Sequence, residues 1–292
     1  MDAETSDYIN EPSAGNSFLN LTSPMFSNIR SVYSPANGIF RILTADRYGK
    51  RFILKCLSEK FIPDPTYNLL LAKEFEIGIS LDHPNIRRYI GYEDVPGFGK
   101  AIILEYVDGI TLDKALNNGC INSDNVIDIA TQLIEAVDYI HRKQVLHRDI
   151  KPQNVIITHS RSQVKVIDFS LSDSNSFVIL KNPAGTRKYL APEQLAPDAK
   201  PSTKADIYSL GKVLGEMADI THNSTLRILS DYYTQENPET RPDSISVNDI
   251  KTCGMYEKIS LDSPKLTRWL VWIVAILGVI VAGLAYTRFI PH

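Results

Sequence analysis

The sequence predicts an α+β chain of two unequal lobes, a small β-rich one with a single main helix and a larger, mainly helical one, followed by one apolar helix. Three observations carry this. Over residues 26–107, short apolar runs alternate with turn residues around one helical stretch. Beyond Asp108-Gly109 the apolar residues recur at helical spacing. Over residues 269–287 charged side chains are absent.

In chain order, residues 1–25 form an acidic leader with Asp2, Glu4, Asp7 and Glu11, among Ser, Asn, Pro and Gly, a composition that predicts disorder. Residues 26–107 make the first lobe. Strands are expected at 26–33, 39–44 and 51–57, turning at Pro35-Ala36-Asn37-Gly38 and Tyr48-Gly49-Lys50. A helix at 66–81 ends before His83-Pro84-Asn85, and strands at 86–92 and 101–107 flank Pro96-Gly97-Phe98-Gly99. Residues 108–252 make the second lobe. It has a short helix at 112–117, a long amphipathic one opened by Ser123 and running to about Arg142, strands at 155–158 and 164–167, and helices near 203–219 and 225–235. Residues 253–268 read as a juxtamembrane linker, 269–287 as a transmembrane helix and 288–292 as a short tail.

The 292 residues are 43% hydrophobic and 22% charged, as in an ordinary folded protein. A formal charge of −3 and a pI near 6.1 give no reason to expect nucleic acid as a partner, which asks for a basic face. Cys56, Cys120 and Cys253 are scattered, odd in number and without a CxxC pair. They argue against a disulfide framework or a zinc site and for a reducing compartment.

As a helix, residues 269–287 would span about 28 Å at about 1.5 Å per residue, the thickness of a thinner bilayer. Trp269, Trp272 and Tyr286 stand where interfacial aromatics belong. Lys258, Lys265 and Arg268 precede the run and Arg288 follows it, so the charge bias keeps residues 1–268 in the cytoplasm. The expectation is a single-pass tail anchor. Gly278 and Ala282, four apart, offer a weak small-residue face for a homodimer.

The most chemically loaded stretch is His147-Arg148-Asp149-Ile150-Lys151-Pro152-Gln153-Asn154. It lies between a long helical pattern and the apolar run Val155-Ile156-Ile157, so it reads as a rigidly held loop carrying a carboxylate, cations and an amide. With Asp168-Phe169-Ser170 and Ala191-Pro192-Glu193 downstream, it resembles the catalytic loop, metal-binding motif and P+1 motif of the eukaryotic-type serine/threonine protein kinases. The resemblance covers roughly residues 28–250 and implies the bilobal fold of that family, with ATP and Mg²⁺ as its cofactors.

It also implies roles. Asp149 would be the base that orients the substrate hydroxyl, and Lys151 would stabilise the transferring phosphate. Asn154 and Asp168 would be the Mg²⁺ ligands, as hard oxygen donors. Lys55 would hold the α- and β-phosphates, paired with Glu74 rather than Glu76. Leu104 would be gatekeeper, Glu105 to Val107 the adenine-binding segment between the lobes, and Gly38 and Ile156 further nucleotide contacts. Glu193 with Arg241 would form a buried ion pair, and Asp206 would brace the catalytic loop. Lys151 and Thr186 match the serine/threonine pattern. Ser172, Ser174, Ser176 and Thr186 are candidate phosphosites that Arg148 could read.

Several positions depart from the family pattern. The three glycines of the phosphate-covering loop fall on Tyr33, Pro35 and Gly38, and proline offers no N–H. The small residues of the adenine roof are replaced by Phe40 and Ile53, and the third residue of the Asp168 motif is Ser170. The apolar residue expected four positions after Glu74 is Gly78, and Tyr89 is a candidate to fill that space. Between Asp206 and Arg241 the chain is too short for the usual helices, so a docking helix is expected to be missing. The reading that follows is a membrane-anchored serine/threonine kinase acting on proteins. A pseudokinase scaffold with a degraded nucleotide site is the alternative, and a small-molecule kinase a third.

Overall fold

The computed structural model describes residues 25–33, 38–172, 188–195 and 200–262. The leader, Pro35, most of the turn at 35–38, Ser174, Ser176, Thr186, the end of the linker and the apolar run 269–287 lie outside these residues. Among the described residues no helix is long and apolar enough to cross a membrane.

The first lobe is a five-stranded antiparallel sheet of β1 (Ser27–Tyr33), β2 (Phe40–Arg47), β3 (Lys50–Leu57), β4 (Tyr89–Val95) and β5 (Gly99–Glu105), in the order β1-β2-β3-β5-β4. Strand periodicity sorts β3 into two faces. Leu54 and Cys56 join Leu43, Ala45, Val95, Ala101 and Ile103 in an outer core. Ile53 and Leu57 join the main core on the other face, and the same alternation puts Lys55 there with them. A lysine is thereby carried into the interior by register alone.

Helix α1 (Pro65–Ile79) starts with Asp64 as cap, accepting from the Thr66 amide, and proline in the first turn. Its buried residues are Leu70, Leu71, Glu74 and Gly78, so one glutamate points inward on the face that meets the sheet. The helix stops at Ile79 and β4 begins only at Tyr89, later than the sequence suggested. The reason is tertiary. Ile86 bridges Val166, and Arg87 donates its amide to the Val166 carbonyl at 3.0 Å, so this segment ties to the second lobe instead of the sheet.

The second lobe opens with β6 (Gly109–Thr111), which pattern reading had missed because three residues show no alternation. Helix α2 (Leu112–Asn117) follows, then α3 (Val126–Arg142). Ser123 does not open α3. Asn122 and Asn125 instead build a side-chain turn there, with Asn125 accepting from the Asn122 amide at 2.9 Å and Asn122 from the Asp124 amide at 2.9 Å. Strands β7 (Val155–Thr158) and β8 (Val164–Val166) complete a small sheet with β6.

Helix α4 (Thr203–Thr221) reaches α5 (Ser224–Tyr233) through His222 and Asn223 alone, so no docking helix separates them. His222 makes the turn in the left-handed region (φ 53°), and Asn223 caps α5. α5 lies directly on α4 because Gly211 and Gly215 carry no side chain. A Cβ on Gly211 would meet Tyr233 at 2.7 Å, and one on Gly215 would meet Ser230 at 2.7 Å. Helix α6 (Val247–Asp262) runs through the expected boundary at 252, so the first part of the supposed linker is helical and buries Cys253.

Candidate active site

The catalytic loop hangs from one buried carboxylate. Asp206 on α4 accepts from the amides of His147 and Arg148, each at 2.8 Å, and from His141 Nε2 at 3.0 Å. Arg148 adopts φ 64°, a left-handed turn that exposes both amides to the same acceptor. Burial opposes charge on Asp206, but His141, His147 and the Arg148 amide outweigh it and hold its carboxyl below the usual carboxylate range.

Asp149 is oriented next. Its Oδ2 lies 2.6 Å from Lys151 Nζ and accepts from Asn154 Nδ2 at 2.8 Å. Its Oδ1 is buried and has no hydrogen-bond partner among the described residues. Burial raises its pKa above the ordinary value in spite of Lys151. Asn154 also donates to the Asp149 carbonyl at 2.9 Å, which leaves its amide oxygen as a ligand atom. The Ile167 amide donates to the Asn154 carbonyl at 2.9 Å, and that bond sets Asp168 beside the loop.

Lys55 joins the two lobes. Its Nζ is 2.7 Å from Asp168 Oδ1 and 2.8 Å from Glu74 Oε1. Asp168, at φ 70°, also accepts from the Ser170 amide at 3.3 Å. Burial works against its charge, but Lys55 and Ser170 hold its carboxyl far below the usual range. Burial dominates at Glu74 and raises its pKa despite Lys55. Lys55 itself, disfavoured by burial but flanked by two carboxylates, has its pKa raised. Glu76, the rejected alternative, pairs with Lys73 on the surface.

Asn154 and Asp168 therefore each keep one oxygen for a metal, since Asp168 Oδ1 is taken by Lys55. Among the described residues no three His, Cys, Asp or Glu side chains gather to hold a metal by themselves. Two hard donors fit a divalent cation that draws its other ligands from phosphate and water, as Mg²⁺ does.

Around this core the structure places the remaining expected residues. Leu104 is buried opposite Ile53, and Ile156 is buried opposite Lys165. Glu105 turns its side chain to Lys165 at 3.2 Å and to the Arg88 amide at 3.1 Å, and its own amide donates to the Arg88 carbonyl. Its side chain and its amide are thus both engaged within the protein, with half-buried Val107 beyond it. Gly38 stands at the entry to β2 with its carbonyl accepting from Ser58 at 2.6 Å, while Tyr33 is exposed. Phe40 places its ring 4.7 Å from Lys55 Nζ. Glu193 and Arg241 form the expected two-pronged pair at 2.6 and 2.9 Å.

The space beside Gly78 is occupied as expected. A Cβ there would sit 2.5 Å from Tyr89 ring atoms. Two site contacts escaped sequence reading, His141 on Asp206 and the Tyr89 hydroxyl on Glu74 at 2.9 Å. Both join residues far apart in the chain, and no local pattern announces them.

The sequence matches the model of the protein kinase domain family over residues 37–251. Among curated proteins it is 34% identical over 170 residues to the serine/threonine-protein kinase PrkC of Bacillus subtilis, covering 56% of this chain and 26% of that protein. It is 34% identical over 180 residues to the serine/threonine-protein kinase PknB of Mycobacterium tuberculosis, covering 59% and 28%. The chain thus matches little more than a quarter of the length of these relatives. A solved double mutant of the PknI kinase domain from Mycobacterium tuberculosis superposes with a TM-score of 0.59 at 21% identity, over 80% of this chain and 98% of that one. That last likeness is one of fold.

Proposed function

The chain belongs to the protein kinase domain family, and from that premise we propose that it transfers the γ-phosphate of ATP to serine and threonine hydroxyls of proteins. The observation that carries the proposal is Asp149, with one carboxylate oxygen pinned by Lys151 and Asn154 and the other buried without a partner. A substrate hydroxyl donating to Oδ1 would be aligned for attack on the γ-phosphorus. The new O–P bond forms as the bond to the β–γ bridging oxygen breaks, ADP leaves, and the hydroxyl proton passes to Asp149. Lys151 neutralises charge on the phosphoryl group, and Lys55, held by Glu74, takes the inner phosphates. Mg²⁺ on Asn154 and Asp168 would supply further charge neutralisation.

The serine/threonine assignment follows the relatives, which are named serine/threonine kinases. Incorporation of phosphate from Mg-ATP into the chain itself and into a generic serine/threonine substrate tests it, with Asp149→Asn run alongside. Equal incorporation by both proteins would sink the enzyme. Phe40 against Lys55 and buried Ile53 favour a second reading, a nucleotide-binding or scaffold pseudokinase. A thermal shift with nucleotide but no transfer would select it.

Residues 269–287 would anchor the catalytic lobes to a membrane as a single-pass helix with the kinase in the cytoplasm, supported by the absence of charge and by Lys258, Lys265 and Arg268 before it. Alkaline extraction that releases the chain from membranes would refute this. Pairing of the helix through Gly278 would give a homodimer, and Gly278→Ile should abolish association if it does.

A further inference from the structure

We propose that Tyr89 is a positioning residue for nucleotide, its ring standing in for the side chain Gly78 lacks and its hydroxyl holding Glu74 onto Lys55. The inference rests on the reading of this site as one that holds ATP, and it concerns how the site is assembled.

Three observations converge on Tyr89. First, α1 presents no side chain at Gly78, where it meets Tyr89 of β4. Ring atoms of Tyr89 lie 2.5 Å from where a Cβ on Gly78 would be, so ring and helix backbone interlock. Second, the Tyr89 hydroxyl donates to Glu74 Oε1 at 2.9 Å, while Lys55 Nζ spans the same carboxylate at 2.8 Å from Oε1 and 2.7 Å from Oε2. Third, the ring meets Phe169 edge-on with centroids 6.3 Å apart, and Phe169 lies 4.9 Å from His147 at the head of the catalytic loop.

Each contact alone is ordinary packing, but together they make one side chain responsible for the inward face of α1. Glu74 is 2% exposed, and burial alone would favour its neutral form. Two donors counter that, and they come from different strands, Lys55 from β3 and Tyr89 from β4. Lys55 spans both carboxylate oxygens from β3, and the Tyr89 hydroxyl adds a second donor on Oε1 from β4. An aliphatic residue at 78 would anchor α1 from the helix itself. Here the anchor reaches in from β4 and brings a polar group with it. Phe75 stacked on Tyr92 at 5.5 Å is the other aromatic contact between α1 and β4, but it touches none of the charged groups.

The test uses the full chain and three variants. Tyr89→Phe keeps the ring and should melt near the parent, yet bind Mg-ATP about tenfold more weakly, with faster amide exchange in α1 and an unchanged KM for protein substrate. Tyr89→Leu should lose both properties, and adding Gly78→Leu should restore most of the nucleotide affinity by anchoring α1 from its own side chain. Tyr89→Phe with parental affinity and parental α1 exchange would overturn the proposal, as would a double variant no better than Tyr89→Leu. If the parent binds Mg-ATP but transfers nothing, the transferase reading fails while binding and exchange still decide Tyr89. If the parent binds no nucleotide, α1 exchange in Tyr89→Phe decides alone.

Discussion

The loop at 147–154 and the roof formed by β1 to β3, which carries Lys55, differ in how far they depart from the family pattern. At the loop both carboxylates have partners: Asp206, reaching in from α4, takes two amides and a histidine, and Asp149 takes a lysine and an asparagine amide. In the roof the departures from the family pattern are changes of volume, Phe40 and Ile53, or of backbone freedom, Tyr33 and Pro35. The difference teaches which features neighbours can compensate. Added volume can be absorbed by repacking at about 1–3 kcal/mol, but no neighbour can replace a lost carboxylate that must accept a proton.

The contrast can be broken from the loop side first. Asp149→Asn should reduce phosphate transfer by about 10²–10⁴-fold while nucleotide binding, read by calorimetry, stays close to the parent. Weakened binding in step with transfer would show that loop and roof are not separable. Asp206→Ala should follow, costing about 3–5 kcal/mol in chemical denaturation because it strands two buried amides. The pH dependence has a definite sign. The folded-state pKa of Asp206 lies below its ordinary value of 3.8, so its stabilisation is complete above about pH 4 and is lost as pH falls toward the folded value. Asp168 acts in the same direction. Asp206→Asn should therefore flatten the acid limb of the stability profile.

Gly78→Leu, with Tyr89 left in place, should destabilise by about 1–3 kcal/mol through overpacking, seen as a lower Tm, and a stabilised variant would contradict the packing at α1. The smallest effect is expected in the roof. Phe40→Val should tighten nucleotide binding by up to about tenfold if bulk above the adenine is what limits it. An unchanged Kd would mean that the roof has already adapted and that the comparison overstates its defect.

Much of this was legible in the sequence. The structure brings Lys55, Glu74 and Asp168 together and Asp149, Lys151 and Asn154 together, and Gly78 with Tyr89 is readable because a missing side chain at a known helical offset demands a filler. The departures lie at borders. The starts of β4 and α3 differ from the local pattern because Ile86 and Arg87 pair with Val166 and because Asn122 and Asn125 build their own turn. Residues 253–262, expected as linker, belong to a helix whose weak apolar periodicity gives little to read.

What the sequence determined by itself is the order of chemistry along the chain and the face each group occupies. Both follow from local rules: a period of two carries Lys55 inward on β3, and helical spacing puts Glu74 with Leu70, Leu71 and Gly78 on one face of α1. The tertiary structure decided the partnerships: Tyr89 with Glu74, His141 with Asp206, Glu105 with Lys165, and Gly211 with Tyr233. These contacts close loops of 15, 65 and 60 residues for the three hydrogen-bonded pairs. Over such separations no periodicity links the two ends, and only the packed core brings them within reach.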